Sequence, residues 1–253
     1  MVPLLKRLIQ STSRKFGYRI VRDVLPPPVS DTPPAYGLDN FFSLIKRYGF
    51  DPKNIVDVGA NRGTWTRKAL SFFPDASYTL VEPQDHLKVH IQDLFDRGHK
   101  ISWINAGVAD RPGILPFTVS YRDDSSTFAM TPTDSTAQRI DISVTTLNRI
   151  VSSTNASFPE MVKIDAEGFD LKVLAGASDL LGKTELFFVE VTICSPAYEN
   201  TIAKVINRMD QAGYRVVDVT DLNRSSKFGV LWLCELAFLR NDSALFDTVT
   251  SFE

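Results

Sequence analysis

The alternation of short apolar strands with amphipathic helices constrains the fold of this chain more than any other feature. Branched and aromatic residues dominate short runs that helix-length segments separate. The predicted strands are 54–58, 77–81, 101–108, 161–165, 186–190, 214–219 and 233–239. The predicted helices include 64–72, 85–97 and 198–212. Strands that alternate with helices predict right-handed crossovers and a largely parallel sheet.

The last two predicted strands differ from the others because only a polar loop, 221–228, separates them. That loop is too short for a helical crossover, so we expect the strands 214–219 and 233–239 to pair antiparallel. The sequence therefore predicts a Rossmann-like α/β fold. Its sheet has seven mostly parallel strands and ends in a C-terminal antiparallel hairpin.

Composition divides the chain into an arm and a domain. Residues 1–36 begin with a basic amphipathic stretch and continue into proline-rich segments that are typical of a linker. Two interpretations of this arm stay open: contact with a membrane surface or partner, and packing on the domain or on a second subunit. Residues 37–253 form the predicted domain. Within it the polar segment 110–150 is predicted to be a substrate-side insertion, with a solvated surface loop as the alternative.

Bulk properties exclude several functions. The formal net charge of −2 creates no field that attracts nucleic acid, and no base-stacking motif is present, so nucleic acid is not an expected partner. No apolar run reaches the ~20 residues that cross a bilayer. The basic start lacks the hydrophobic stretch of a secretory signal, and the two cysteines match no metal or redox spacing. We therefore expect a cytoplasmic protein with the arm as a candidate peripheral membrane contact.

The run DVGANRG (57–63) follows the first predicted strand and opens a helix. Gly59 allows a sharp turn and a close approach of a ligand to the backbone, and Gly63 allows the helix start to pack against the sheet. The Asp57 carboxylate can accept hydrogen bonds from loop amides or reach the amino-acid portion of a ligand. Asparagine and threonine stand where the dinucleotide fingerprint has its second and third glycines, so the run does not predict a dinucleotide site.

An acid follows at the end of the next predicted strand, about 20 residues after the glycines. Glu82 there can accept both hydroxyls of a ribose, and Pro83 fixes the exit from the strand. No phosphate-cradling GxxxxGK[ST] loop is present, so the pair of signals predicts an adenosyl ligand without a triphosphate. The rim after the third strand, at Asn105 and Ala106, is expected to face the adenine.

A second run, KIDAEGFD (163–170), ends the fourth predicted strand. On an extended strand Asp165 and Glu167 would point to the same side. Burying two acids at a strand end is costly unless a ligand, a metal or donors meet them, so this run predicts a site. The alternative is a cap for the following helix, served by Glu167 or Asp170. Glu190, at the end of the fifth strand, is a lesser candidate.

Together these motifs resemble the FkbM family of methyltransferases. The resemblance runs from about Asn54 to Glu190 and rests on DVGANRG, Glu82-Pro83, KIDAEG and the following VLAG (173–176). One position departs from the family pattern, because Leu147 precedes Asn148 where the family has Leu-Asp. The resemblance implies the class I methyltransferase fold and an S-adenosylmethionine cofactor, with S-adenosylhomocysteine as product. It also implies O-methylation of a hydroxyl on a sugar, glycan or secondary metabolite.

The candidate residues follow from the motifs and the resemblance. The candidate catalytic residues are Asp165 and Glu167, which would take a proton from the acceptor or orient it. The candidate cofactor-binding residues are Asp57, Gly59, Ala60, Asn61, Gly63, Glu82, Asn105, Ala106 and Asp165. A carboxylate-held Mg²⁺ is chemically conceivable, but no dedicated ligand cluster predicts a metal site.

Two alternative functions remain at this point. An NAD-dependent oxidoreductase is disfavoured by the glycine run and by the predicted hairpin. A non-catalytic protein of the same fold that binds an adenosyl ligand is disfavoured by the intact site acids. The acceptor is not encoded in any readable motif, and a homo-oligomer is left open.

Overall fold

The computed structural model describes residues 37–119, 127–128, 138–153, 158–194 and 198–251. The predicted arm, 1–36, lies outside these residues, so its helix and its contacts stay predictions. The compact unit that contains the main sheet spans Ala35–Asp242. Residues 243–251 belong to a second unit and run through turns. None of the helices in the described ranges is long and apolar enough to cross a membrane.

The strands of the described residues form two sheets. In chain order they are β1 (Asn54–Val58), β2 (Ser77–Glu82), β3 (Ile101–Asn105), β4 (Gly107–Val108), β5 (Gly113–Val119), β6 (Gln138–Thr145), β7 (Met161–Ile164), β8 (Leu186–Thr192), β9 (Tyr214–Arg224) and β10 (Leu231–Arg240). The main sheet has seven strands in the order β3-β2-β1-β7-β8-β10-β9. Its neighbours are parallel except where β10 pairs with β8 and β9. The predicted seven-stranded α/β sheet with an antiparallel hairpin is therefore confirmed.

Helices cover the sheet between its strands. They are α1 (Leu38–Arg47), α2 (Thr64–Phe72), a 3₁₀ segment (Asp85–Ile91) that continues into α3 (Gln92–Asp96), α4 (Leu147–Ser153), α5 (Asp170–Ala175) and α6 (Ile202–Gln211). Apolar residues of α1 recur at helical spacing, and Phe42 contacts the rings of Trp65 and Phe188 edge-on. This aromatic cluster fixes α1 and α2 against the buried strand β8.

The predicted bounds of the third strand, 101–108, are wrong. Its main-sheet part ends at Asn105, and the two residues Gly107–Val108 pair with β6 in a separate sheet ordered β4-β6-β5. The break is a single residue, Ala106, so periodicity alone could not separate the two strands. The other two strands of the small sheet, β5 and β6, lie within the predicted insertion 110–150, whose residues 120–126 and 129–137 are outside the described part.

The chain order of the strands determines where a ligand can bind. From β1 the chain continues to β2 and β3 on one side, whereas β7 and β8 follow on the other side. At such a switch point the loops after neighbouring parallel strands diverge and leave a crevice at the carboxyl ends. The glycine turn after β1 therefore lies between Glu82 on one flank and the acid loop after β7 on the other.

Candidate active site

The turn after β1 brings backbone to the edge of a cavity. Gly59 has a φ of 72° and Asn61 a φ of 47°, in the left-handed region that glycine, and to a lesser extent asparagine, tolerates. A Cβ atom on Gly59 would lie 1.8 Å from the backbone oxygen of Asp165. Only glycine fits this close approach. Gly59, Ala60 and Asn61 all line the cavity, as the sequence predicted for a binding turn.

Asp57, by contrast, lies beneath the turn and is not among the residues that line the cavity. Its carboxylate is fully buried, accepts a hydrogen bond of 2.5 Å from Thr66 Oγ1 and lies 3.4 Å from Lys163 Nζ. The contacts that we expected, with loop amides or with a ligand, are replaced by these two. The reason is that Asp57 faces α2 and β7, where the Thr66 hydroxyl donates to it and the Lys163 ammonium group balances its charge.

Gly63 and Asn105 are likewise not among the residues that line the cavity, although their neighbours in sequence are. Gly63 packs against the 3₁₀ segment and not against the sheet, because a Cβ there would lie 2.6 Å from Ile91 Cγ2. The Asn105 side chain donates to the backbone oxygens of Glu82 and Pro83, at 3.2 and 3.0 Å. Its amide therefore braces the turn after β2, while the neighbouring Ala106 reaches the cavity.

Glu82 lines the cavity at the end of β2 and is only 3% exposed. Its Oε2 accepts the backbone N–H of Asn61 at 2.9 Å, and its Oε1 accepts that of Gln84 at 3.0 Å. Burial raises the pKa of this carboxyl, and the two backbone donors oppose that rise. Its Oε1 also accepts a long hydrogen bond of 3.5 Å from the Gln84 side-chain amide. A carboxylate offers about four lone-pair directions, so Glu82 retains room for one further donor such as a ribose hydroxyl.

The acid loop after β7 differs from the expected extended strand. β7 ends at Ile164, and Glu167 has a φ of 49°. Asp170 shapes the loop, because its carboxylate accepts the backbone N–H groups of Ala166 at 3.0 Å and Gly168 at 3.2 Å. Burial raises the pKa of Asp170 to about 7. The residue that we considered as a helix cap thus stabilises the site loop itself, and Asp165 and Glu167 remain on the cavity wall.

Three carboxylates meet on this wall. One oxygen each of Asp165, Glu167 and Glu190 lies within 4.8 Å of the others. Burial and the charges of its acidic neighbours raise the pKa of Glu190 well above its ordinary value. A carboxyl group in such a cluster can accept a proton from a nearby hydroxyl. The same oxygens are of the type that a hard cation such as Mg²⁺ prefers.

The acids continue across the antiparallel strands. Glu235 on β10 pairs with Glu190 on β8 and with Asp221 on β9, so the three residues share one row of the sheet. Glu235 is 8% exposed, its carboxylate accepts a hydrogen bond of 2.5 Å from Thr220 Oγ1, and burial raises its pKa to about 7. All three acids line the cavity, which gives one end of it a strongly acidic wall.

Another part of the cavity wall is apolar. Phe117 of β5 and Phe128 pack with their rings tilted by 57° and their centroids 4.6 Å apart, and both line the cavity. The Thr127 hydroxyl donates to the backbone oxygen of Glu167 at 2.6 Å, which ties this wall to the acid loop. The cavity measures about 360 Å³, a size within the range of ~300–1,000 Å³ for small-molecule sites. The described part of the insertion therefore forms one side of the cavity.

Sequence reasoning overlooked Lys163 and Glu235 as site residues. Each is a charged residue inside a mainly apolar strand: Lys163 in MVKI of β7, and Glu235 in LWLCELAFLR of β10, whose other charge, Arg240, is the last residue of the strand. Because a buried charge needs a partner, such an isolated charge is a usable signal. Asn148, the departure from the family pattern, lies elsewhere: its side chain donates to Ser178 Oγ at 2.8 Å and accepts the backbone N–H of Asp179 at 3.0 Å.

The cavity fits the expected donor on two observations. Glu82 has spare acceptor capacity at the end near Ala106, and Asp165 Oδ1 is buried without a hydrogen-bond donor among the described residues. A buried acceptor of this kind is costly unless a ligand or water donates to it. S-adenosylmethionine carries ribose hydroxyls for the first group and an ammonium donor for the second.

Comparison with known proteins identifies the family but not the acceptor. Solved structures of similar fold include the N-methyltransferase NodS from Bradyrhizobium japonicum WM9, with 8% identity, a TM-score of 0.48 and coverage of 80% of this chain and 95% of that one. A putative rRNA-methylase from Clostridium thermocellum gives 10% identity, a TM-score of 0.48 and coverage of 81% and 96%. These likenesses are too distant to inform the chemistry. No curated protein matches the sequence significantly.

The family assignment rests on the sequence match. The methyltransferase FkbM domain matches residues 57–216, from the glycine turn to the first strand of the C-terminal hairpin. That range contains the turn, Glu82, the acid loop and Glu190. The NAD-dependent alternative is thereby set aside. The chain belongs to the FkbM methyltransferase family and is an S-adenosylmethionine-dependent methyltransferase.

Proposed function

We propose that this enzyme methylates a hydroxyl group of a sugar, glycan or secondary metabolite. The observation that carries the proposal is the meeting of Asp165, Glu167 and Glu190 on the cavity wall. An aliphatic hydroxyl is a weak nucleophile that gains from a base, whereas a neutral amine attacks without losing its proton first. Carboxyls with raised pKa values, such as Glu190, are suited to receive that proton.

The acidic lining of the cavity favours an acceptor that carries no negative charge. Glu235 and Asp221 extend the acidic wall beyond the three clustered carboxylates. The lysines among the described lining residues are Lys68 and Lys163, and Lys163 is already paired with Asp165. An acceptor that carries phosphate or carboxylate next to its hydroxyl would meet repulsion there. A neutral polyol would instead donate hydrogen bonds to these oxygens.

The site residues have distinct roles in this proposal. S-adenosylmethionine, when bound, supplies a methyl group on a positively charged sulfur. Glu82 and the turn Gly59–Asn61 hold the adenosyl part, and Asp165 receives a donor on its open oxygen. The acid cluster orients the hydroxyl and takes its proton, while Phe117 and Phe128 exclude water from one side.

Labelled methyl transfer tests the proposal. The full chain would be incubated with S-adenosylmethionine that carries an isotopically labelled methyl group and with matched acceptors: a neutral sugar, its amine, its phosphate and its uronic acid, each also as a glycoside. We expect mass spectrometry to find the label in neutral hydroxylated acceptors as a base-stable ether. Label only on amine, phosphate or carboxyl acceptors would contradict the proposal. Binding of the donor without transfer to any acceptor would favour the non-catalytic alternative.

A further inference from the structure

Lys163 occupies an unusual place for a lysine. It lies in the middle of β7, whose four residues are all buried, and β7 is flanked by β1 and β8. In the register of the sheet Lys163 is paired with Asp57 on β1. Its side chain is 5% exposed. A charge in this position requires compensation by partners, since transfer of an unpaired ammonium out of water is very costly.

Three oxygens surround the ammonium group: it hydrogen-bonds to one and forms ion pairs with the other two. Lys163 Nζ donates to the backbone oxygen of Gly59 at 2.9 Å and lies 3.1 Å from Asp165 Oδ2 and 3.4 Å from Asp57 Oδ1. Burial alone would lower the pKa of Lys163, but the carboxylates around it outweigh that effect and raise the pKa above its ordinary value. The group therefore stays charged.

These contacts distinguish two roles. If Lys163 only neutralised the buried Asp57, its best contact would be with that carboxylate. The observed order is the reverse, because the two shorter contacts go to Gly59 and Asp165, which line the cavity, and the longest goes to Asp57, which does not. Asp57 also accepts a hydrogen bond from Thr66.

We propose that Lys163 is a positioning residue that fixes the turn at Gly59 relative to the Asp165 carboxylate. One ammonium group thereby sets the distance between the donor-binding turn and the acid that faces the acceptor. The inference rests on the proposed function only in the part given to Asp165. The inference is tested by measuring the binding of the methyl donor, and the proposed hydroxyl acceptor is tested by methyl transfer. A negative result in one experiment therefore leaves the other proposal standing.

The first variant is Lys163→Met, which keeps the length of the side chain and removes the charge. Loss of a charge-assisted contact to the turn should weaken S-adenosylhomocysteine binding at least ~10-fold in calorimetry. S-adenosylmethionine carries a positive sulfur that the product lacks, and Asp165 in the variant has lost its cation. We therefore expect the donor to lose several-fold less affinity than the product, a difference that a merely structural lysine would not produce.

The second variant separates folding from positioning. Asp57→Asn combined with Lys163→Met removes both buried charges, so it should recover unfolding stability relative to Lys163→Met alone. The contacts to Gly59 and Asp165 stay lost, so affinity for S-adenosylhomocysteine should stay low. Lys204→Met, at an exposed position on α6, is the control and should bind both ligands as the wild type does.

Two results would overturn the inference. In one, Lys163→Met binds both ligands with wild-type affinity and an unchanged affinity ratio. In the other, the double variant recovers affinity together with stability, which would make Lys163 a charge partner of Asp57 alone. Should Lys163→Met fail to fold, the double variant by itself decides between low and recovered affinity.

Discussion

We expect the Gly59→Ala variant to lose both S-adenosylhomocysteine binding and a large part of its stability. The new Cβ would lie 1.8 Å from the Asp165 backbone oxygen, and the φ of 72° is strained for any residue with a side chain. Relief requires the turn after β1 and the loop after β7 to separate, which opens the cavity. The free energy of unfolding, measured in urea, should fall by more than about 3 kcal/mol, at the upper end of ordinary single substitutions.

Gly98→Ala is the matched control for this prediction. Gly98 has a similar φ of 77° but no atom within 4 Å of its virtual Cβ. Its replacement should cost only the backbone strain of about 1–2 kcal/mol and leave binding intact. Equal losses of stability in the two variants would mean that the contact between the two loops does not constrain the site.

The second large effect concerns turnover. We expect Asp165→Asn and Glu167→Gln each to lower kcat by about 10²–10⁴-fold, the usual contribution of a positioned general base or acid. An amide keeps the shape of the carboxylate but cannot take the acceptor proton. The affinity for S-adenosylhomocysteine should change much less than kcat does. Initial rates with an acceptor from the labelling experiment, compared with calorimetry, measure the two effects separately.

Asp179→Asn serves as the control for turnover because that side chain is exposed and lies outside the cavity lining. Its kcat should equal that of the wild type. If both Asp165→Asn and Glu167→Gln also retained wild-type kcat, the acid loop would have no part in the chemistry. A loss confined to one of them would assign the proton transfer to that residue.

The main sheet was predictable because its strands carry a continuous signal. Buried strands such as β1 and β8 are mainly apolar runs with one acid each, and the short polar loop between β9 and β10 indicated their antiparallel pairing. The separate strand Gly107–Val108 and the small sheet could not be predicted. One residue, Ala106, separates Gly107–Val108 from β3, and the pairing of these two residues with β6 is a tertiary contact between distant parts of the sequence.

The site was predictable to the level of motifs but not of side-chain roles. Sequence spacing placed Asp57 and Glu82 at strand ends, yet only one of them lines the cavity. The difference depends on the partners that the three-dimensional structure supplies: in the interior, Thr66 donates a hydrogen bond to Asp57 and Lys163 balances its charge. Glu235 was missed because its neighbour Glu190 is 45 residues away in sequence and adjacent only through strand pairing.

Calorimetric titration of the purified full chain with S-adenosylhomocysteine, with NAD as the control, tests most directly whether this cavity binds an adenosyl methyl donor. We expect S-adenosylhomocysteine to bind and NAD to give no heat. Glu82→Gln should weaken S-adenosylhomocysteine about 10–100-fold, as expected for hydrogen bonds to a charged group. Binding of NAD without binding of S-adenosylhomocysteine, or wild-type affinity in Glu82→Gln, would contradict the assignment of this site.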